Sequence, residues 1–210
     1  MADYLLVPGA GCDADYWGPV ADRLAQRGHR GIPVQLPCDD DTAGLQEYAM
    51  CIEDAASGLA EPVIVAHSFG GFSAALAADR LPTRALVFAS AMIPAPGERG
   101  EEWFEHTGWQ AASDDFDALF YSDIEPREQA SVFERRQSST PGTQPWPLTR
   151  LPQVPIRALV FADDRFFTPE FMRRVVLERL GIDDPDTVPG GHMAMLSRPD
   201  ELAAALMGIL

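Results

Sequence analysis

Apolar runs and helical stripes alternate along most of the chain, and their spacing predicts its elements. Asp3 to Val7 reads as a strand, followed by a Gly-rich loop from Pro8 to Cys12. Between Tyr16 and about Arg27, Trp17, Val20, Ala21 and Leu24 keep the spacing of one helix face, and Gly28 is a stop signal. Residues 31–36 form a second strand, short or irregular because of Pro33 and Pro37. A helix is predicted from about Thr42 to Leu59, with Leu45, Tyr48, Ala49, Ile52 and Ala56 on one face. Val63 to Ala66 is a β-branched, apolar run, and an Ala-rich helical pattern follows from Phe72 to Leu81. Strands are expected at 84–89, 155–161 and 186–189. Thr168-Pro169 opens a helix to about Leu180, with the hydroxyl as cap and proline in the first turn. Ser197 to Asp200 opens the last helix, with Asp200 placed like the acid of a capping box.

The strands are apolar throughout rather than alternating. That pattern belongs to an α/β fold, a mostly parallel sheet buried on both faces by helices. From about 92 to 150 the pattern breaks. Prolines and glycines cluster at both ends, with acidic segments and scattered aromatics between them. This reads as a small helical cap inserted into a single domain that spans 1–210.

In such sheets ligands sit at the carboxyl ends of the strands. Ser68 lies there, as do Gly9-Ala10, Asp163-Asp164 and Gly190-Gly191-His192. A serine at a sharp strand-to-helix corner has its hydroxyl pushed above the sheet, next to the positive end of the helix. Small residues are needed on either side because the backbones nearly touch, and Ala66 and Gly70 meet that need. The bland alternative is an ordinary turn serine.

A serine hydroxyl needs a base, and the base needs a group that fixes its tautomer. His29 reads as solvated after a surface helix. His67 reads as structural, because neighbouring side chains diverge. His106, in the insertion, is placed to touch substrate or to sit on the surface, and the surface role is the favoured one. His192, after two glycines, can reach over the sheet edge as the base. Asp163 and Asp164 both end a buried strand, and spacing alone does not separate them as the orienting acid. An oxyanion hole would use the Phe69 N–H and an N–H of the Gly9-Ala10 loop.

Composition narrows the chemistry. There is no lysine, so all 16 basic residues are arginine, which excludes Schiff-base and P-loop mechanisms. The net charge of −16 argues against nucleic acid or an anionic membrane as partner. No apolar run approaches the ~20 residues of a membrane span. Cys12, Cys38 and Cys51 are an odd number without metal-ligand spacing and read as reduced thiols. With no leader pattern at the start of the chain, the expected compartment is the cytoplasm. Asp39-Asp40-Asp41 reads as a solvated loop that places negative charge at the start of the next helix, not as a metal site. No cofactor or metal is expected.

Four stretches together resemble the α/β-hydrolase superfamily over nearly the whole chain. They are Leu6 to Ala10 with Trp17 downstream, Ala66 to Gly71, Asp164 with Phe171 seven residues on, and Gly191 to Ser197. The best likeness is to small esterases related to plant methylesterases and hydroxynitrile lyases. The resemblance implies a sheet of about six strands, Ser68 as nucleophile, Asp164 as the acid and His192 as base. It also implies an oxyanion hole at Ala10 and Phe69. Pro8 stands where a histidine is common, and the insertion looks shorter than usual. The lyases carry a lysine after the catalytic histidine and a threonine at the Gly9 position. Here the residues are Met193 and Gly9, which favours ester hydrolysis.

The expected reaction is cleavage of a small to medium, largely apolar carboxylic ester through an acyl-enzyme. Trp103, Phe104, Trp109, Phe120 and Tyr121 are candidates for lining the substrate site under the cap. Two other readings stand beside it: a lyase or cyclase using the same groups only as base, and a catalytically silent ligand-binding protein. Related folds suggest a homodimer through the cap.

Overall fold

The computed structural model describes residues 1–126 and 128–209. Among these, six strands form one parallel sheet: β1 (Asp3–Val7), β2 (Arg30–Pro33), β3 (Val63–Ser68), β4 (Ala85–Ala91), β5 (Ile156–Phe161) and β6 (Asp186–Val188). Their order is β2-β1-β3-β4-β5-β6, and every pairing is parallel. The order reverses between β1 and β3, which opens a crevice at their carboxyl ends. Ser68 ends β3 at that point.

Alternate strand residues feed two cores. Leu5, Ile64, Phe88 and Val160 face the layer of α2 (Leu45–Ala55), α3 (Gly70–Ala78) and α8 (Pro169–Leu180). Tyr4, Val65, Val87 and Phe161 face α1 (Gly18–Gln26), the short α9 (Ala194–Ser197) and α10 (Pro199–Gly208). Every residue of α3 is buried. Its run of glycine and alanine lets the sheet, α2 and the inserted segment close on it from all sides.

The chain between β4 and β5 carries short helices: α4 (Gly100–His106), α5 (Phe116–Phe120), α6 (Glu128–Ser131) and α7 (Thr140–Thr143). Side-chain N–H groups fasten it to the sheet layer. The Trp146 indole donates to the Phe72 carbonyl at 3.1 Å. The buried Glu98 carboxylate accepts both terminal nitrogens of Arg179, at 3.1 and 2.8 Å, and the Ala95 N–H at 3.0 Å. His106 Nδ1 lies 2.9 Å from the same carboxylate, so this histidine serves the base of the cap.

Several expected boundaries shift for tertiary reasons. The second helix starts only at Leu45. Its first N–H groups are taken by Glu47 (to Gly44, 2.8 Å) and by Gln144 of the insertion (to Leu45, 2.9 Å). The Asp39–Asp41 run is not at that helix start. Asp39 and Asp41 pair with Arg135 and Arg136 at 2.8 and 2.7 Å, and Asp40 closes a turn onto Thr42. Asp200 does not act in a capping box. The Ser197 hydroxyl is taken by Asp123, and Asp200 pairs with Arg23 of α1 at 2.9 Å. His29 is half-buried with its ring edge against Tyr4, not fully solvated. No described helix is long and apolar enough to cross a membrane.

Candidate active site

The β3–α3 corner is tight enough to hold Ser68 at φ 49°, a left-handed conformation unusual outside glycine. The cost of that strain is of order 1–3 kcal/mol, and only a closely packed surround maintains it. That surround is visible at the glycines. A Cβ on Gly70 would fall 2.3 Å from the Pro8 carbonyl oxygen, and one on Gly9 would fall 2.9 Å from Ser68 Cβ. The loop after β1 therefore lies directly against the serine.

His192 comes from the loop after β6. Its Nε2 lies 3.3 Å from Ser68 Oγ, and its Nδ1 lies 2.8 Å from Asp164 Oδ2. The imidazole is fully buried, with Phe120, Phe166, Phe167 and His67 rings 4.6 to 5.2 Å away. Asp164 Oδ1 accepts the N–H groups of Phe166 and Phe167, both at 2.8 Å, and Oδ2 also accepts the Ser90 hydroxyl at 2.6 Å. A carboxylate with every lone pair directed this way cannot rotate. Asp163 points elsewhere. Its side chain accepts the Gly190 N–H at 3.0 Å, and its own N–H donates to the Gly190 carbonyl at 3.0 Å. The geometry therefore separates two adjacent acids that sequence spacing left equivalent.

The Gly9, Ala10 and Gly11 N–H groups have different fates. Gly9 donates to the Tyr16 hydroxyl at 3.0 Å, and Gly11 donates to Gln137 Oε1 at 2.8 Å. The Ala10 N–H between them has no acceptor among the described residues, and neither has the Phe69 N–H at the head of α3. Both residues border the cavity that holds Ser68.

His67, beside the nucleophile candidate, does not join Ser68. Its Nδ1 lies 2.9 Å from the Tyr16 hydroxyl. Burial holds the Tyr16 phenol well above its usual pKa, so the phenol keeps a proton to give. Burial first, and then the neighbouring His192, push His67 well below its ordinary value and keep it neutral. The resulting chain runs from Gly9 N–H to Tyr16 Oη, and from Tyr16 O–H to His67 Nδ1. It ties the loop after β1 to the residue preceding Ser68.

The cavity has a volume of about 300 Å³. Phe104 and Phe120 line it, together with Phe166, Met92 and Met193. The other three aromatic candidates do not. Trp103 is fully buried, with its indole N–H on the Ile93 carbonyl at 3.0 Å. The Trp109 indole donates to the Phe166 carbonyl at 2.7 Å. The Tyr121 hydroxyl is bonded to Glu134 at 2.8 Å. In each case a polar handle fixes the ring in the fabric of the cap. Ser90, Tyr16 and Asp123 were not singled out from the sequence. Of these, only Ser90 left a trace there: a hydroxyl in the otherwise apolar run from Leu86 to Ala91. Among the described residues no group of His, Cys, Asp or Glu side chains is arranged to hold a metal ion.

A parallel sheet with a strained serine at its switch point, a buried histidine and a carboxylate from successive strand ends define a hydrolase-type scaffold. The chain belongs to the alpha/beta hydrolase family, whose defining pattern matches residues 4–205. It is 34% identical over 107 residues to the probable esterase PIR7A of Oryza sativa subsp. indica. That match takes in 45% of this chain and 41% of the rice protein, so it spans about two fifths of the relative's length. Methylesterase 3 of Arabidopsis thaliana is 27% identical over 259 aligned positions, covering 98% of this chain and 94% of the relative. The alignment is longer than the 210 residues here, so the plant protein carries segments this chain lacks. The crystal structure of polyneuridine aldehyde esterase superimposes with a TM-score of 0.84 at 24% identity, over 100% of this chain and 99% of that one.

Proposed function

We propose that this protein is a serine esterase that cleaves a small to medium, largely apolar carboxylic ester through an acyl-enzyme on Ser68. The observation that carries the reading is the hydrogen-bonded line from Ser68 Oγ through His192 to Asp164, which borders an apolar cavity. The esterase and methylesterase relatives support the reaction class.

In this mechanism Ser68 Oγ attacks the ester carbonyl carbon while His192 Nε2 takes the hydroxyl proton. Asp164 holds the Nδ1–H and stabilises the imidazolium. The carbonyl oxygen, now an oxyanion, accepts the N–H groups of Ala10 and Phe69. Collapse expels the alcohol, which leaves with the proton from His192. A water then gives a proton to His192 and attacks the acyl carbon, and Ser68 leaves with that proton as the acid is released. Phe104, Phe120, Phe166 and Met193 supply apolar contact for the substrate. A cavity near 300 Å³ is at the small end of ligand pockets.

The reading predicts turnover of p-nitrophenyl acetate and butyrate, a steep fall for long acyl chains, and a loss on the order of 10⁶-fold in turnover for Ser68→Ala. Equal turnover of acetate and palmitate esters would contradict the proposed substrate size. Undiminished turnover in Ser68→Ala would contradict the mechanism.

A further inference from the structure

The loop that carries His192 is held by two carboxylates on successive N–H groups. Asp163, from the sheet, takes Gly190. Asp123, from the inserted segment, takes Gly191 through Oδ2 at 2.7 Å. The same Oδ2 accepts the Ser197 hydroxyl at 2.6 Å, at the end of α9. One oxygen therefore grips the residue just before His192 and the short helix just after it. Bonds from neutral donors to a charged carboxylate oxygen are among the stronger hydrogen bonds in proteins.

The two glycines differ in kind. Gly190 has φ 119°, where other residues are strained. Gly191 is not in that region. A Cβ there would fall 2.6 Å from Asp123 Oδ1, so a side chain at this position would displace the carboxylate. From the sequence, the Gly-Gly pair reads as a flexible hinge for the imidazole. In the structure both N–H groups are bonded and the second glycine is packed against a carboxylate. Asp123 Oδ1 is buried and has no partner among the described residues. A carboxylate with one buried oxygen left unpartnered is a costly way to fasten a loop if fastening were all it did.

We propose that Asp123 is a positioning residue for His192, through which the cap sets the distance from the imidazole to Ser68. The proposal rests on the esterase reading for its kinetic consequences. The 3.3 Å between Nε2 and Oγ must shorten for proton transfer, and the loop must hold His192 while it does. A displacement of ~1 Å at such a site costs about 10²-fold in rate. The arrangement also makes the cap part of the catalytic apparatus, because the segment that roofs the substrate also holds the base.

The test compares wild type, Asp123→Ala, Asp123→Asn and Ser197→Ala. Turnover of p-nitrophenyl butyrate, the rate of fluorophosphonate labelling and the downfield proton resonance of the His192–Asp164 hydrogen bond are measured on each. Asp123→Ala is expected to lower kcat about ten- to a hundredfold with KM within about twofold, to slow labelling by the same factor, and to broaden or shift the downfield proton. Asp123→Asn keeps an acceptor oxygen and should recover most of kcat and the proton signal. A folded Asp123→Ala with wild-type kcat, labelling rate and proton signal overturns the proposal, as does one that loses only thermal stability. If Asp123→Ala does not fold, Ser197→Ala decides: a severalfold fall in kcat at constant KM supports the role, and unchanged kcat overturns it. Should the wild type itself not label, the esterase reading fails, and the proton resonance alone decides. A signal lost in Asp123→Ala and kept in Asp123→Asn supports positioning, and an unaltered one rejects it.

Discussion

Tyr16→Phe removes one oxygen and leaves the ring in place, so it isolates the hydrogen-bonded chain behind the loop that follows β1. Tyr16 is fully buried, and its hydroxyl is shared by the Gly9 N–H at 3.0 Å and His67 Nδ1 at 2.9 Å. Without it, two buried polar groups lose their partner. Each unsatisfied group costs about 1–3 kcal/mol, offset in part because the hydroxyl itself no longer has to be buried. A net loss of about 2–4 kcal/mol follows. For a domain of this size each kcal/mol lowers the melting temperature by roughly 2–4 °C, which places the variant about 4–16 °C below wild type. The Gly9 bond also sets the path of the chain into Ala10. If the Ala10 N–H tilts away from the proposed oxyanion position, turnover falls by up to about 10²–10³-fold, the effect of losing one such donor. KM should move little, because the interaction forms in the transition state. Thermal unfolding followed by circular dichroism, with p-nitrophenyl butyrate kinetics at a temperature where both proteins are folded, reads both effects. A Tyr16→Phe protein that melts within 2 °C of wild type and turns over at the same rate would refute the reasoning.

Ser90→Ala deletes the 2.6 Å bond to Asp164 Oδ2 but leaves Phe166, Phe167 and His192 in place. A hydrogen bond to a charged group contributes about 1.5–3 kcal/mol, so urea unfolding should register a loss of that order, with a fall in kcat and little change in KM. His67 gives a pH prediction. Its native pKa is held well below the ordinary 6.5 by burial, so below pH 6.5 the unfolded chain binds a proton that the native state refuses. Stability present above pH 6.5 is therefore lost as pH falls toward the native value, by at most about 1.4 kcal/mol per pH unit. In urea titrations at pH 7 and 5.5 the wild type should lose more stability than His67→Gln, and equal losses would show that His67 is not held neutral.

The sheet was legible because four of its six strands, β1, β3, β4 and β5, are largely apolar runs whose residues are mostly buried. β2 was marked as irregular by its prolines and proved to be a short edge strand, Arg30–Pro33. Helix ends were less legible because their caps are tertiary. Gln144 reaches Leu45 from far along the chain, and Asp123 draws the Ser197 hydroxyl away from the last helix. Ser68 and His192 could be found from their positions after strand ends. Asp164 could not be told from Asp163 by spacing, since the difference lies in which carboxylate meets the Phe166 and Phe167 N–H groups. The cap was the least legible part. Trp103, Trp109 and Tyr121 look like pocket aromatics in sequence, but the partners of their N–H and O–H groups turn them into cap structure. Tyr16 and Asp123 act through contacts with residues distant in the chain, which no local pattern announces.

The central claim is that Ser68 is an activated nucleophile. The most direct measurement is the intact mass of wild type and Ser68→Ala after brief exposure to a fluorophosphonate. The account predicts one adduct on the wild type, placed on Ser68 by peptide mapping, and none on the variant. A folded wild type that gains no adduct, or an adduct that persists in Ser68→Ala, would contradict it.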